Sequence, residues 1–102
     1  MAQPEIFTAT LTVLDEFGLH ARPAASLAKA AQEYKADIRL VLGENSADAK
    51  SILDILSLAV ARNAELTLVC RGSDAVQAGM ALRAVFQNIV NQGAADFAAP
   101  PG

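Results

Sequence analysis

The chain has 102 residues, a formal net charge of −3 and a hydrophobic fraction of 53%, which fits one domain with a single core. Its eight basic residues are scattered along an acidic sequence and form no basic stripe for a nucleic acid, and no apolar run is long enough to cross a membrane. The single cysteine, Cys70, excludes an internal disulfide and a zinc site built on cysteines. The single histidine excludes a metal site with several histidine ligands.

The first half of the chain predicts two strands around one helix. From Phe7 to Val13, apolar residues alternate with three threonines, which is the pattern of a strand with one wet face. Pro23 fits the first turn of a helix, because that turn needs no hydrogen bond from its nitrogen, and apolar residues follow at helical spacing. We expect this helix to end near Tyr34 or Lys35 and a second strand to run from Ile38 to Leu42.

The second half predicts two more strands and two more helices. A tight turn at residues 43–45 leads to a short strand at residues 46–49, and a fourth strand covers residues 66–70. Between them, a second helix is expected to open at Ser51 and close at Arg62-Asn63; its inward residues would be Ile52, Ile55, Leu56 and Ala59. The third helix is expected over residues 75–91, with an apolar set of Val76, Leu82, Val85, Phe86 and Ile89.

The element order is therefore β-α-β-β-α-β-α. Because the threonine face of the first strand indicates that helices cover only one side of the sheet, the predicted fold class is α+β. It is a two-layer, open-faced sandwich with a four-stranded antiparallel sheet and three helices on one face. Residues 1–93 would form the domain, and the Ala- and Pro-rich residues 94–102 a flexible tail. Residues 1–10 lack the pattern of a signal peptide, so we expect a cytoplasmic protein.

The residues with the most evident chemistry are 18–25, where a loop meets the first helix. His20 lies at this junction, and the unpaired amides of the first turn and the helix dipole favour an anion there. A neutral imidazole is a nucleophile, and the guanidinium of Arg22 can bind phosphate oxygens in pairs. The pattern thus indicates phosphoryl transfer, which needs mainly positioning and charge neutralisation. Taken alone, however, a histidine at a helix start is more often a cap or a surface residue, and a lone arginine is usually solvated.

The segment Gly18-Leu19-His20-Ala21-Arg22-Pro23-Ala24 strongly resembles the active-site signature of the HPr family, the histidine-containing phosphocarriers of the bacterial phosphoenolpyruvate:sugar phosphotransferase system. The resemblance extends over residues 7–91, and residues 49–53 look like the regulatory-serine segment of that family. It implies that His20 is phosphorylated through Nδ1 and that Arg22 stabilises the phosphate. It also implies that a serine kinase and phosphorylase act on Ser51 in some bacteria. No cofactor or metal is implied.

The resemblance further implies partners. Phosphoryl groups would arrive from Enzyme I and leave to IIA- or IIB-type components, and the carrier would be a monomer that binds neither nucleic acid nor membrane. The second helix carries apolar residues on more than one face, which indicates an apolar docking patch beside His20. The residues expected in this docking patch are Ala21, Ala25, Ile52, Leu53 and Leu56. The alternative is that the short helix is simply well buried.

Ser51 also has a purely structural interpretation. Serine is a preferred N-cap, and Asp54 three residues later would make a variant of the capping box. The family often has a basic residue at the position of Asp54, and Phe17 replaces a residue that is commonly small or polar.

Rival functions therefore stay open. One is a nitrogen-related paralogue within the same family, and another is a regulatory interaction module controlled by phosphorylation of Ser51. A third is a small-ligand regulatory domain of similar architecture, which would give no reason for His20 and Arg22 around Pro23.

Overall fold

The computed structural model describes residues 5–91, and within them the predicted order of elements is confirmed. The strands are β1 (Glu5–Thr12), β2 (Asp37–Leu42), β3 (Asn45–Asp48) and β4 (Glu65–Gly72). The helices are α1 (Ala21–Ala31), α2 (Ile52–Ser57) and α3 (Ala75–Val85), and a π-helical segment, Phe86–Val90, continues α3. The predicted domain end at residue 93 and the predicted tail, residues 94–102, lie outside the described residues.

The four strands form one antiparallel sheet in the order β1-β4-β2-β3. Thr8, Thr10 and Thr12 are exposed on one face of β1, whereas Leu11 is buried on the other. Leu11 pairs with Leu66 of β4, so the two leucines lie side by side in the core beneath the helices. The predicted fold class, an α+β sandwich open on its threonine face, is confirmed.

Small side chains on the helices let the helical layer approach the sheet closely. In α1, Ala24, Ala28 and Ala31 are buried. In α3, Gly79 lies against the ring of Phe7, and a Cβ at this glycine would overlap that ring. The largest fully buried side chains are Phe86, Leu27, Ile38, Leu40, Ile55, Leu66, Leu68 and Leu82.

The first helix ends earlier than predicted, at Ala31 rather than near Tyr34 or Lys35. Beyond it, the amide of Glu33 donates to the carbonyl three residues back at 3.2 Å, and the amide of Tyr34 does the same. These shorter hydrogen-bonded turns tighten the chain and bring it directly into β2.

The second helix is also shorter than predicted, and it ends at Ser57 rather than at Arg62-Asn63. Leu58 is its C-cap, and Ala59 then adopts a left-handed conformation with a φ of 52°. An alanine in the left-handed region of backbone conformation is uncommon, and the spacing of apolar residues does not predict it.

This early end changes which residues α2 buries. Six residues make fewer than two turns, so the helix presents a narrow strip to the core. Ile55 is buried and Leu56 is half-buried, as expected, but Ile52 and Ala59 are exposed. The prediction that these last two face inward is wrong.

The third helix is in a different register from the predicted one. Leu82 and Phe86 are buried as expected, but Val76 and Ile89 are exposed, so their assignment to the core is wrong. The cause at the C-terminal end is the π-helical segment, where the amide of Asn91 reaches back five residues to the carbonyl of Phe86 at 3.0 Å. The wider turn adds one residue and directs Val90 into the core; the buried residues of α3 itself are Ala75, Ala78, Gly79 and Leu82.

Candidate functional site

The loop from residue 13 to residue 20 leads to the candidate site and is anchored on the segment that follows α2. The amide of Leu19 donates to the carbonyl of Val60 at 3.0 Å, and the Leu19 side chain is buried. Gly18 has a φ of +68°, and a Cβ there would collide with the same carbonyl oxygen. Both the backbone conformation and the close approach therefore require glycine before this leucine.

A second anchor of the same loop is Asn91, just beyond the π-helical segment. Its Oδ1 accepts from the amide of Leu14 at 2.9 Å, and its Nδ2 donates to the carbonyl of Thr12 at 3.0 Å. Between these two, the carbonyl of Val13 accepts from the amide of Asn63 at 2.7 Å. Sequence reasoning missed Asn91, because in the linear pattern it does not differ from a solvated asparagine at a helix end.

His20 is the N-cap residue of α1, and its side chain takes no part in the capping. The backbone is extended, with φ −86° and ψ −174°, and the carbonyl accepts from the amide of Ala24 at 3.0 Å. The imidazole makes no capping hydrogen bond and is 41% exposed. The interpretation of this side chain as a cap is therefore wrong, and the ring is accessible at the positive end of α1.

Two loop residues define the surroundings of the imidazole. Oδ1 of Asp15 lies 3.9 Å from Nε2 of His20, which is within ion-pair range but beyond a hydrogen bond. The same Oδ1 accepts from the amide of Phe17 at 2.8 Å. The Phe17 ring meets the imidazole nearly at a right angle, with 6.0 Å between ring centroids, and is itself 74% exposed. The motif did not reveal Asp15, because this residue lies outside it.

Arg22 lies in the first turn of α1, two residues after His20, and is exposed. Within residues 5–91, the ion pairs join His20 to Asp15 and Arg39 to Asp37, and neither includes Arg22. The structure thus brings the two predicted phosphate-handling residues to the same helix end.

Ser51 is the N-cap of α2, as predicted. Its Oγ accepts from the amide of Asp54 at 3.2 Å. The reciprocal half of the capping box is not formed, so that part of the prediction is wrong. The carboxylate of Asp54 instead accepts from the amide of Asp48 at 3.3 Å, and the amide of Ser51 donates to the carbonyl of Asp48 at 3.0 Å.

The predicted docking patch lies at the surface of α1 and α2, which pack against each other. Leu53 is 79% exposed and Ile52 is 39% exposed, so the alternative that α2 is simply well buried is wrong for both. Ala21 and Ala25 are exposed and Leu56 is half-buried.

Cys70, the one thiol of the chain, points into the core instead of the site. Burial, followed by the charges of Asp37 and Asp74, raises the pKa of this thiol to about 11, so it stays protonated and unreactive near neutral pH. Across residues 5–91, no group of three or more His, Cys, Asp and Glu side chains is arranged to hold a metal ion. In the same part of the chain, no helix is long and apolar enough to cross a membrane.

An open-faced sandwich with one accessible histidine at the start of its first helix defines a small carrier domain of the HPr-like class. The family model described as PTS HPr component phosphorylation site matches residues 7–88. A solved structure of the histidine-containing phosphocarrier protein of a mycoplasma superposes with a TM-score of 0.81 at 31% identity and covers 82% of this chain and 96% of its own.

Curated relatives agree with the family model. The phosphocarrier protein HPr of Mycoplasma capricolum is 38% identical over 77 residues, which are 76% of this chain and 84% of the relative. That of Treponema pallidum is 40% identical over 79 residues, which are 78% and 90% of the two chains. The chain belongs to the HPr family of phosphocarrier proteins of the phosphotransferase system.

Proposed function

We propose that this chain accepts one phosphoryl group on Nδ1 of His20 from phosphorylated Enzyme I and passes it to a IIA- or IIB-type component. The observation that carries the proposal is the His20 imidazole, which is accessible and makes no capping hydrogen bond at the N-terminus of α1. Family membership supports the phosphocarrier role. The chain is then a stoichiometric carrier and not an enzyme that turns over a small substrate.

The transfer forms one bond and breaks one. The lone pair on Nδ1 of His20 attacks phosphorus, and the phosphohistidine nitrogen of the donor takes back the electron pair of its own N–P bond. The phosphoryl oxygens carry negative charge throughout, which the Arg22 guanidinium and the first-turn amides of α1 offset. Because the attacking atom is already a nucleophile, the step needs alignment and charge neutralisation more than acid–base assistance.

Partner docking in this proposal uses the exposed apolar side chains beside His20. The docking patch on α1 and α2 would include Ile52 and Leu53, and the exposed ring of Phe17, which lies against the imidazole, would add to the apolar surface. Exposed apolar side chains that form a patch are typical of interaction sites. Enzyme I and the acceptor would use this same surface in turn.

The decisive experiment is phosphorylation by Enzyme I and phosphoenolpyruvate, followed by intact mass. We expect one phosphate per chain, stable in base and labile in acid as a phosphoramidate is. His20→Ala should abolish it, because the sequence has no second histidine. An acid-labile phosphate that persists in His20→Ala would contradict the proposal.

The phosphoryl donor that the chain prefers decides whether it is a carrier of the sugar system or a nitrogen-related paralogue. Side-by-side reactions with the Enzyme I of the sugar system and with its nitrogen-related counterpart assign the branch, since the preferred donor gives the higher kcat/KM.

Within the same proposal, the carrier is a cytoplasmic protein and a monomer. Size-exclusion chromatography with light scattering tests the monomeric state. Phosphorylation of Ser51 by a serine kinase belongs to the proposal as a regulatory step.

A further inference from the structure

We propose that Asp15 is a positioning residue for the phosphoryl acceptor: its carboxylate holds the proton of His20 on Nε2 and stabilises the positive ring that forms when Nδ1 is phosphorylated. This inference rests on the proposed function of His20. It assigns a role to a residue that lies outside the family motif found in the sequence.

The Asp15 carboxylate is held in place by its own loop. Oδ1 accepts from the amide of Phe17 at 2.8 Å, and the carbonyl of Asp15 accepts from the amide of Gly18 at 2.9 Å. The loop itself is anchored on Val60 through Leu19. The carboxylate is also the more enclosed of the two partners, with 23% of the Asp15 side chain exposed against 41% for His20. The oxygen that faces the imidazole is therefore fixed before any phosphoryl group arrives.

The position of this oxygen distinguishes the two ring nitrogens. Oδ1 of Asp15 lies 3.9 Å from Nε2 of His20. A negative charge on this side favours the tautomer in which Nε2 carries the proton, and the lone pair is then on Nδ1. The nitrogen on the other side of the ring is thereby the nucleophile.

The same charge acts on the reaction. Attack by Nδ1 on phosphorus turns a neutral ring that carries a proton on Nε2 into a positively charged N-phosphoimidazolium, while the donor nitrogen leaves with its electron pair and no proton is exchanged. The Asp15 carboxylate lies 3.9 Å from Nε2 of this cation, so its charge stabilises the product of attack more than the neutral ring. After loading, the phosphorylated ring can lose its Nε2 proton to solvent. The charge of Asp15 favours the ring that keeps this proton, and the phosphoryl group departs most readily from that protonated form.

The size of the effect follows from the separation and the partial exposure of the pair. Two unit charges about 4 Å apart in a medium close to water interact by an energy that corresponds to roughly a fivefold change in rate. Removing the charge of Asp15 should therefore slow the reaction less than removing the nucleophile does. The change should be visible in kcat without a change in KM.

Asp15→Asn is the informative variant, because the amide oxygen can still accept from the Phe17 amide while the charge is lost. Glu33→Gln is the matched control: it removes the same charge from an exposed residue just beyond the far end of α1, about 20 Å along the helix from His20. Each protein is loaded with phosphoramidate, a small donor that needs no docking surface, and separately with Enzyme I. Loading rate, kcat, KM and hydrolysis of the phosphohistidine are measured.

We expect Asp15→Asn to be loaded about fivefold more slowly by phosphoramidate, to lower kcat with Enzyme I by a similar factor at unchanged KM, and to hydrolyse more slowly. Glu33→Gln should match the wild type in every rate. A purely structural role would instead raise KM or lower the melting temperature in Asp15→Asn. Equal kcat and hydrolysis rates in Asp15→Asn and the wild type would overturn the inference.

A tautomer measurement separates this inference from the proposed function. The imidazole ¹⁵N shifts of the single histidine report which nitrogen carries the proton in the unphosphorylated protein. The Nε2–H form should dominate in the wild type and lose population in Asp15→Asn, and an unchanged tautomer ratio would overturn the role of Asp15. Absence of phosphate on His20 in the wild type would instead refute the proposed function, together with the kinetic part of the inference.

Discussion

At the scale of single residues, the proposed transfer gives His20 and Arg22 separate tasks although they are two positions apart. In that proposal the imidazole forms the new bond, and the guanidinium offsets charge on the phosphoryl group in transit. Arg22 is exposed and belongs to neither of the ion pairs within residues 5–91. Its side chain can therefore serve the phosphoryl group without giving up a structural contact there.

Replacing Arg22 by alanine should slow transfer and leave the fold intact. A hydrogen bond to a charged group is worth about 1.5–3 kcal/mol, which corresponds to a loss of roughly tenfold to a hundredfold in rate. Alanine is a strong helix former and the site is exposed, so stability should stay within about 0.5 kcal/mol of the wild type. Single-turnover transfer from Enzyme I and thermal unfolding measure the two effects.

Lys29→Ala is the control for Arg22→Ala. It removes one positive charge from an exposed position in the last turn of the same helix. If Lys29→Ala slowed transfer as much as Arg22→Ala, general attraction to Enzyme I would explain the effect, and the specific role of the guanidinium would be refuted.

The sequence revealed the residues whose chemistry is local. His20, Arg22 and Pro23 share one loop and one helical turn, so their spacing alone places them together. Asp15 and Asn91 could not be found in this way. The Asp15 contact with His20 depends on the loop conformation that Gly18 permits, and the hydrogen bonds of Asn91 join segments that lie far apart in the sequence.

At the scale of elements, α2 is too short to be stable without its surroundings. Ser51 caps its first turn through the amide of Asp54. The residue before the cap is tied to the end of α1: the carbonyl of Lys50 accepts from Nε2 of Gln32 at 2.8 Å, and Nζ of Lys50 donates to the carbonyl of Tyr34 at 2.7 Å. The position of α2 against α1 therefore depends on contacts at the N-terminal end of α2.

Two variants of Ser51 should separate capping from docking. Ser51→Ala loses the cap and should lower the free energy of unfolding by about 1 kcal/mol. Ser51→Asp retains an acceptor for the Asp54 amide and should be more stable than Ser51→Ala. It also places a charge at the edge of the docking patch, next to Ile52, and should therefore raise the KM for Enzyme I several-fold.

Thermal unfolding and Enzyme I kinetics on both variants test this prediction. Ser73→Asp is the control, since it introduces the same charge at an exposed position in the turn between β4 and α3. An unchanged KM in Ser51→Asp would mean that α2 is not the docking surface, and that Ser51 acts there as a cap alone.

The element boundaries that the sequence failed to predict are those decided by backbone geometry. Apolar spacing extended α2 to residue 63 because it cannot detect the left-handed conformation of Ala59. It also assumed a regular helix to residue 91, whereas the wider turn at residues 86–90 places Val90 in the core instead of Ile89. The second departure concerns the site, since Asn91, which anchors the loop before His20, follows directly after the wider turn.

At the scale of the whole molecule, both ends of α1 are held by distant parts of the chain. The loop before it is fastened to residues 60, 63 and 91. The segment after it is fastened by Asp74, whose Oδ2 accepts from the amide of Lys35 at 2.9 Å and whose Oδ1 accepts from the amide of Ala36 at 2.8 Å. The Asp74 side chain does not cap α3. The backbone carbonyl of Asp74 does so by accepting from the amide of Ala78 at 2.9 Å.

This arrangement makes stability depend on pH through Asp74. The hydrogen bond from the Lys35 amide is the largest cause that holds the pKa of the Asp74 carboxyl below its ordinary value of 3.8. The Ala36 amide, the amide of Asp74 itself and the charge of Lys50 lower this pKa further, whereas burial opposes them with a smaller effect than that of the Lys35 hydrogen bond. A carboxyl with a depressed pKa in the folded state stabilises the fold above its unfolded pKa. That contribution is lost as the pH falls through the folded value.

Asp74→Asn should therefore be less stable than the wild type at neutral pH, because an asparagine can accept only one of the two amide hydrogen bonds through its oxygen. The difference between the two proteins should shrink as the pH falls below 3.8 and through the lowered pKa of the folded wild-type carboxyl, which then also becomes neutral. Urea unfolding at a series of pH values measures it, with Glu44→Gln, exposed in the turn between β2 and β3, as the variant that loses the same charge without these contacts. A constant difference between Asp74→Asn and the wild type over this range would show that the carboxylate charge contributes nothing to the connection between α1, β2 and α3.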